Sequence, residues 1–96
     1  MSYELKFLPS ALREWRQLSP NLRDQFKKKL MERVENPEVP ADRLRGRSDC
    51  YKIKLRSSGY RLVYEVEKKT VTIYVIALGK RDRSVVYKRA KKRRLE

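Results

Sequence analysis

The sequence predicts an α+β domain: a small antiparallel sheet with an N-terminal helical hairpin on one face and a short C-terminal helix. Two observations set this. Apolar residues repeat every second position in the first seven residues and again through residues 51–66, the period of half-buried strands. Between them, Ala11, Leu12, Trp15 and Leu18, then Leu22, Phe26, Leu30 and Val34, recur at helical spacing. With 96 residues, the chain fits one domain spanning 1–96.

Tyr3, Leu5 and Phe7 alternate with polar residues as a first strand, which Pro9 ends. A short helix follows. Ser19-Pro20 places a capping hydroxyl before a proline suited to the first helical position, so a second helix starts there and runs to Asn36-Pro37. Pro37, Pro40 and Gly46 break the periodicity of residues 36–49, which read as a long loop. Tyr51, Ile53 and Leu55 then oppose Lys52, Lys54 and Arg56. Ser57-Ser58-Gly59 supplies a hairpin turn into the strand of Tyr60, Leu62, Tyr64 and Val66, and Lys68-Lys69 a second turn. Residues 70–78 are apolar on nearly both faces, as a central strand requires. Beyond Gly79, Ser84 is placed to cap a last helix carrying Val86, Tyr87 and Ala90. Local hairpins imply a meander, with the first strand at an edge or beside the last. Trp15, among helical apolar neighbours, reads as core.

Composition narrows the chemistry. The chain holds 26 Lys and Arg against 12 Asp and Glu, for a formal charge of +14, which points to a polyanionic partner, nucleic acid before a membrane surface. It has no histidine, which excludes histidine acid–base chemistry, histidine metal ligands and a Ser-His-Asp triad. A single cysteine, Cys50, excludes an internal disulfide and a cysteine-cluster zinc site, and reads as a buried thiol in a reducing compartment. No apolar run approaches the ~20 residues of a membrane span, and the N-terminus lacks a signal peptide's apolar stretch. The sequence therefore reads as a cytoplasmic chain needing no metal or other cofactor.

The excess charge is localised. Residues 1–40 hold eight cations and six carboxylates, whereas residues 41–61 hold seven and two, and residues 80–96 nine and two. At the end, residues 91–96 read as a basic flexible tail. Within the sheet, alternation puts Lys52, Lys54 and Arg56 on one face, successive members ~7 Å apart, and the tight turn brings Arg61 to that face. Arg81 and Arg83 follow the central strand, Arg45 leads into the lysine strand, and Tyr87 opens the last helix. These segments are predicted to meet in one basic surface. RNA carries its own nucleophile, the ribose hydroxyl beside each phosphate. Cleavage needs that hydroxyl deprotonated, charge on phosphorus stabilised and the leaving oxygen protonated. A lysine titrates near ~10.4, too high for a good base, but like charges lower that value, and Lys52 beside Lys54, Arg61 and Arg81 has such neighbours. An arginine such as Arg61 suits a bidentate grip on phosphate, and Tyr87 suits base stacking. Spacing alone favours nucleic-acid binding over catalysis.

A longer pattern adds to this reading. Leu12-Arg13-Glu14-Trp15, Lys27-Lys28-Lys29-Leu30 and Leu44-Arg45-Gly46 precede the run Asp49-Cys50-Tyr51-Lys52-Ile53-Lys54-Leu55-Arg56-Ser57-Ser58-Gly59-Tyr60-Arg61-Leu62-Val63-Tyr64. Gly79-Lys80-Arg81-Asp82-Arg83-Ser84 and Val86-Tyr87 complete it. Over nearly the whole chain this resembles the RelE family of bacterial type II toxins. The resemblance implies a microbial-ribonuclease-like fold and a ribosome-dependent endoribonuclease that cuts messenger RNA in the ribosomal A site, leaving a cyclic phosphate. It implies that Lys52 and Lys54 activate the ribose hydroxyl and balance charge, and that Arg61 stabilises the pentavalent phosphorus. Arg81 would protonate or stabilise the leaving oxygen, and Tyr87 would orient the nucleotide. Arg45, with Arg56, Lys80 and Arg83, would bind RNA. A RelB-like antitoxin would bind the toxin, and operator DNA would be met only by their complex. The competing class is the related ParE toxins, which share the fold and poison DNA gyrase. A general RNA-binding module is the third.

Overall fold

The structure is a computed structural model describing residues 2–80 and 85–93, with side chains omitted at 47, 48, 85 and 91. Strand β1 (Glu4–Phe7) leads into helices α1 (Pro9–Gln17) and α2 (Pro20–Glu35). After a single 3-10 turn at Pro40–Asp42 come strands β2 (Arg43–Leu44), β3 (Arg47–Leu55), β4 (Tyr60–Glu67) and β5 (Thr72–Lys80), then helix α3 (Val85–Lys92). Among the described residues the strands form one sheet in the order β1-β5-β4-β3-β2.

Each start and stop has a local cause. Pro9 sits in the first turn of α1, where its missing N–H costs nothing. The Ser19 hydroxyl accepts from the backbone N–H of Leu22 at 3.3 Å, and Pro20 opens α2. Gly59, at φ +77°, takes the left-handed position that closes the β3–β4 hairpin, its N–H donating to the Leu55 carbonyl.

The meander β3-β4-β5 is antiparallel as predicted, but β1 runs parallel to β5, pairing Glu4 with Thr72 through Phe7 with Val75. The sheet is therefore mixed. The helical hairpin and the first two hairpins separate β1 from β5, a connection long enough for a parallel return. The loop read over residues 36–49 is shorter than expected, because the 3-10 turn, β2 and the first residues of β3 occupy its second half. Strand β2 is only two residues long and its pairing with β3 is irregular, so it leaves almost no periodic signal. The last strand lies two residues later than the apolar run suggested. At the C-terminus, α3 extends to Lys92, so helix takes up the first part of the segment read as a tail. Ser84, the expected cap, is outside the described residues.

Cross-strand pairs share a face, which sorts the side chains. One face carries Tyr51, Ile53 and Leu55 of β3 with Tyr64, Leu62 and Tyr60 opposite them. Helix α2 lies on it: the Arg33 guanidinium sits 5.7 Å over the Tyr64 ring, which stacks on Tyr51 at 5.7 Å. Phe26, Leu30, Ile53 and Leu62 are buried in this layer. Trp15 packs on Phe7 with ring centroids 5.1 Å apart, at the core as predicted. The other face carries Lys52, Lys54 and Arg61, and α3 covers part of it.

Candidate active site

The β3–β4 register puts Lys54 directly opposite Arg61, and Lys52 opposite Val63. On the far side of β4, Arg61 pairs with Gly79. The predicted convergence of Lys52, Lys54 and Arg61 is thus built by two adjacent strands. Lys54 is exposed, while Lys52 and Arg61 are half-buried. The missing side chain at Gly79 lets α3 come close: a Cβ there would lie 3.1 Å from Val86 Cγ2 and 3.3 Å from Arg89 Nη1. Val86 and Ala90 bury against the sheet, and this turns the next residue, Tyr87, toward Arg61. Arg61 Nη1 donates to the Tyr87 hydroxyl at 3.2 Å.

Arg61 therefore has one nitrogen committed to Tyr87, while its Nε is buried with no acceptor among the described residues. A buried guanidinium N–H without a partner is costly. Beside it, like charges act on Lys54. The Lys52 ammonium, then a slight loss of solvation, then Arg61 hold the Lys54 amine below the ordinary lysine range, and Asp42 opposes them. The crowding that the sequence placed at Lys52 is felt at Lys54.

Arg56 continues this surface from the hairpin turn. With Lys54, Arg61, Gly59 and Tyr60 it lines a hollow of about 360 Å³. Lys54 and Arg56 also border another of about 370 Å³, together with Lys29, Arg33, Asp42 and Lys52.

Two predicted members do not join the group. Lys80 pairs with Tyr60, so alternation turns it away from Arg61, and it lines a cleft with Arg13 and Glu14 of α1 and Arg89 and Arg93 of α3. Arg45 lies in the turn before β3, nine residues upstream of Lys54, which an extended strand converts to ~30 Å. Arg81 and Arg83 fall outside the described residues.

Three residues that the motif reading gave no role support the site. Arg33 donates to the Lys52 carbonyl at 3.3 Å, to the Tyr64 hydroxyl at 2.9 Å and to Asp42 at 2.6 Å. Burial works against its charge, but Tyr64 and Asp42 outweigh burial and raise its pKa. Arg33 thereby ties α2 and the 3-10 turn to the lysine strand. Asp42 supplies the negative charge that opposes the lowering at Lys54. Glu14 of α1 receives Leu78 N–H of β5 at 3.0 Å and the guanidinium groups of Arg89 and Arg93. Neither Glu14 nor Asp42 could be found from spacing, since each meets its partners only once helix and sheet have packed. Cys50 is buried, as expected, and lies within 4.8 Å of Asp49 and Glu65.

Known proteins place this arrangement. The family model described as the ParE toxin of type II toxin–antitoxin systems matches residues 5–85. The mRNA interferase toxin RelE of Escherichia coli K12 is 57% identical over 93 residues, 97% of this chain and 98% of that protein. The free-state structure of an arginine-to-alanine variant of E. coli RelE superposes with a TM-score of 0.91 at 55% identity, covering 99% of this chain and 100% of that one. RelE in the intact E. coli RelBE toxin–antitoxin complex gives 0.82 at 55% identity, covering 85% and 100%. With family model, sequence and fold in agreement over nearly its full length, this chain belongs to the RelE toxins of type II toxin–antitoxin systems.

Proposed function

We propose that this toxin is a metal-independent, ribosome-dependent endoribonuclease that cuts messenger RNA in the ribosomal A site. The pairing of Lys54 with Arg61 across β3 and β4, with Arg61 fixed by Tyr87 and the Lys54 amine crowded by like charge, is the observation that carries this reading. An amine of lowered pKa beside a fixed guanidinium offers the base and the charge stabiliser that phosphoryl transfer uses. Lys54, with Lys52 as its electrostatic neighbour, takes the proton from the ribose 2′-hydroxyl. The hydroxyl attacks the adjacent phosphorus, and the departing 5′-oxygen takes up a proton, for which Arg81 is the proposed donor or charge stabiliser. The products are a 2′,3′-cyclic phosphate and a free 5′-hydroxyl. Arg61 meets the charge that grows on the phosphoryl oxygens, and Tyr87 orients the nucleotide while fixing Arg61. Arg56 and Arg83 contact the RNA backbone. Arg45 is too far from the lysine pair to touch the same phosphate and Lys80 is turned away from it, and both serve flanking RNA.

The cluster supplies charge but no group tuned like a histidine, so the ribosome must contribute by holding the messenger in line for attack. A RelB-like antitoxin is the proposed partner, since relatives of this chain are solved in complex with RelB, and only that complex would bind operator DNA. Primer extension on a translated messenger with purified ribosomes tests the activity. Cuts that appear only when toxin and ribosomes are both present are expected. Equal cutting of free RNA, or no cutting together with loss of gyrase supercoiling, would overturn it, the second outcome favouring the ParE-type activity.

A further inference from the structure

We propose that Glu14, on α1 and remote from the RNA, is a positioning residue for cleavage: it holds α3 against the sheet and so keeps Tyr87 on Arg61. This rests on the nuclease reading above.

Helix α3 needs such a hold. It has eight residues, too few to be stable alone in water. Its buried anchors are small, Val86 and Ala90. Residues 85–93 contain five cations and no carboxylate, and they lie on the face that already carries Lys52, Lys54 and Arg61. Like charge therefore opposes the docking that the apolar contacts favour.

Glu14 supplies the missing counter-charge at a point fixed on two sides. Strand β1 covers β5 only as far as Val75, which leaves the edge beyond it open. Glu14 Oε1 fills that edge by accepting from Leu78 N–H at 3.0 Å. The same carboxylate takes both terminal nitrogens of Arg93, at 2.7 and 3.1 Å, and Arg89 Nη1 at 2.9 Å. The fork to Arg93 is bidentate, the geometry that makes a charged pair strong. Its side chains are only 18% and 21% exposed, against 44% for Arg89, so Arg93 is the arm that matters most.

The consequence for the site follows from position. Leu78 adjoins Gly79, which faces Arg61 and touches Val86. Helix α3 is thus held at its C-terminal end by Glu14 and at its N-terminal end by the Val86 contact and the Tyr87–Arg61 hydrogen bond. Without the C-terminal hold the helix rests on two small apolar side chains and the packing of Tyr87, and the Tyr87 hydroxyl no longer keeps Arg61 Nη1 in place.

The test compares the full-length protein with Glu14→Gln, which keeps size and an acceptor for Leu78 but removes the charge, and with Arg93→Gln, which cuts the same tether from the helix end should the first variant fold poorly. Three quantities are read: amide exchange across residues 86–92 in the free toxin, the single-turnover cleavage rate at saturating ribosomes, and ribosome affinity. In both variants exchange in α3 is expected to quicken about tenfold with β3–β5 unchanged, and cleavage to fall about tenfold with affinity within about twofold. In a Tyr87→Phe background, which already lacks the hydroxyl, Glu14→Gln should cost little more, because the two act through one contact. Unchanged exchange in α3, or faster exchange with a wild-type rate, overturns the proposal, as does an undiminished loss in the Tyr87→Phe background. A wild-type protein that cuts no messenger sinks the nuclease reading and the catalytic half of this one with it, while the exchange data still decide whether Glu14 holds the helix.

Discussion

Arg61 carries two tasks on one guanidinium: Nη1 is spent on Tyr87, and Nε is buried without an acceptor among the described residues. Arg61→Ala should therefore lower the saturated cleavage rate by roughly 10²–10³ while ribosome affinity changes little, the signature of a group used mainly in the transition state. Single-turnover rates and binding constants measured together check this, and parallel losses would reduce Arg61 to an electrostatic anchor. Lys54 makes a pH prediction. Its amine is held below the ordinary lysine value by Lys52 first, then by a slight loss of solvation and Arg61. A base must be deprotonated to act, so the rate should rise with pH and level off below the range of a free lysine. Lys52→Ala removes the largest cause of the lowering and should move that plateau to higher pH. A flat profile would exclude Lys54 as the base. Arg33 acts on stability. Arg33→Ala leaves Asp42 and the Tyr64 hydroxyl without their shared donor and should cost about 1–3 kcal/mol, read from the denaturant midpoint. The residues on β3 and β4 were legible in the sequence because a period of two fixes which side chains share a face. Arg33, Asp42 and Glu14 were not, because their roles depend on groups brought near only by packing.

Elements were legible in proportion to their periodicity. Helix α2 announced itself through Leu22, Phe26, Leu30 and Val34 and through its Ser19-Pro20 start, which the structure reproduces down to the capping hydrogen bond. Strand β2 and the 3-10 turn, at two and three residues, are shorter than any repeat. The parallel placement of β1 was invisible for another reason: strand direction is set by the route of the connecting chain, and local alternation is the same in either direction. The element on which the site turns is α3, and Gly79 tests it. Gly79→Ala puts a methyl 3.1 Å from Val86 Cγ2. Val86 is buried and branched, so the helix must move rather than the side chain swing aside. The expected cost is about 1–3 kcal/mol, felt as faster amide exchange over α3 with the sheet still protected, and accompanied by slower cleavage. A uniform loss across the whole domain would instead mean that α3 is part of the global folding unit.

At the scale of the whole molecule, a charge of +14 is distributed so that the sheet faces differ in kind. Helix α2 covers one face and presents Lys27 and Lys28 to solvent, whereas α3 on the opposite face presents Lys88 and Lys92. If the toxin docks with its reactive face toward ribosomal RNA, only the second pair displaces counterions from phosphate. Each such contact contributes roughly 0.7–0.9 to the slope of log affinity against log salt. Lys88→Gln with Lys92→Gln should therefore lower the slope by about 1.5, and neither lysine is an arm of the Glu14 tether. Lys27→Gln with Lys28→Gln should leave it nearly unchanged, although both double variants remove the same net charge. That equality is what gives the comparison its force. A long-range field of the whole molecule would make the two variants alike, whereas direct docking separates them. The reverse order, with the α2 pair carrying the slope, would mean that the helical hairpin faces the ribosome, and an RNA substrate could then reach Lys54 and Arg61 only from the opposite side.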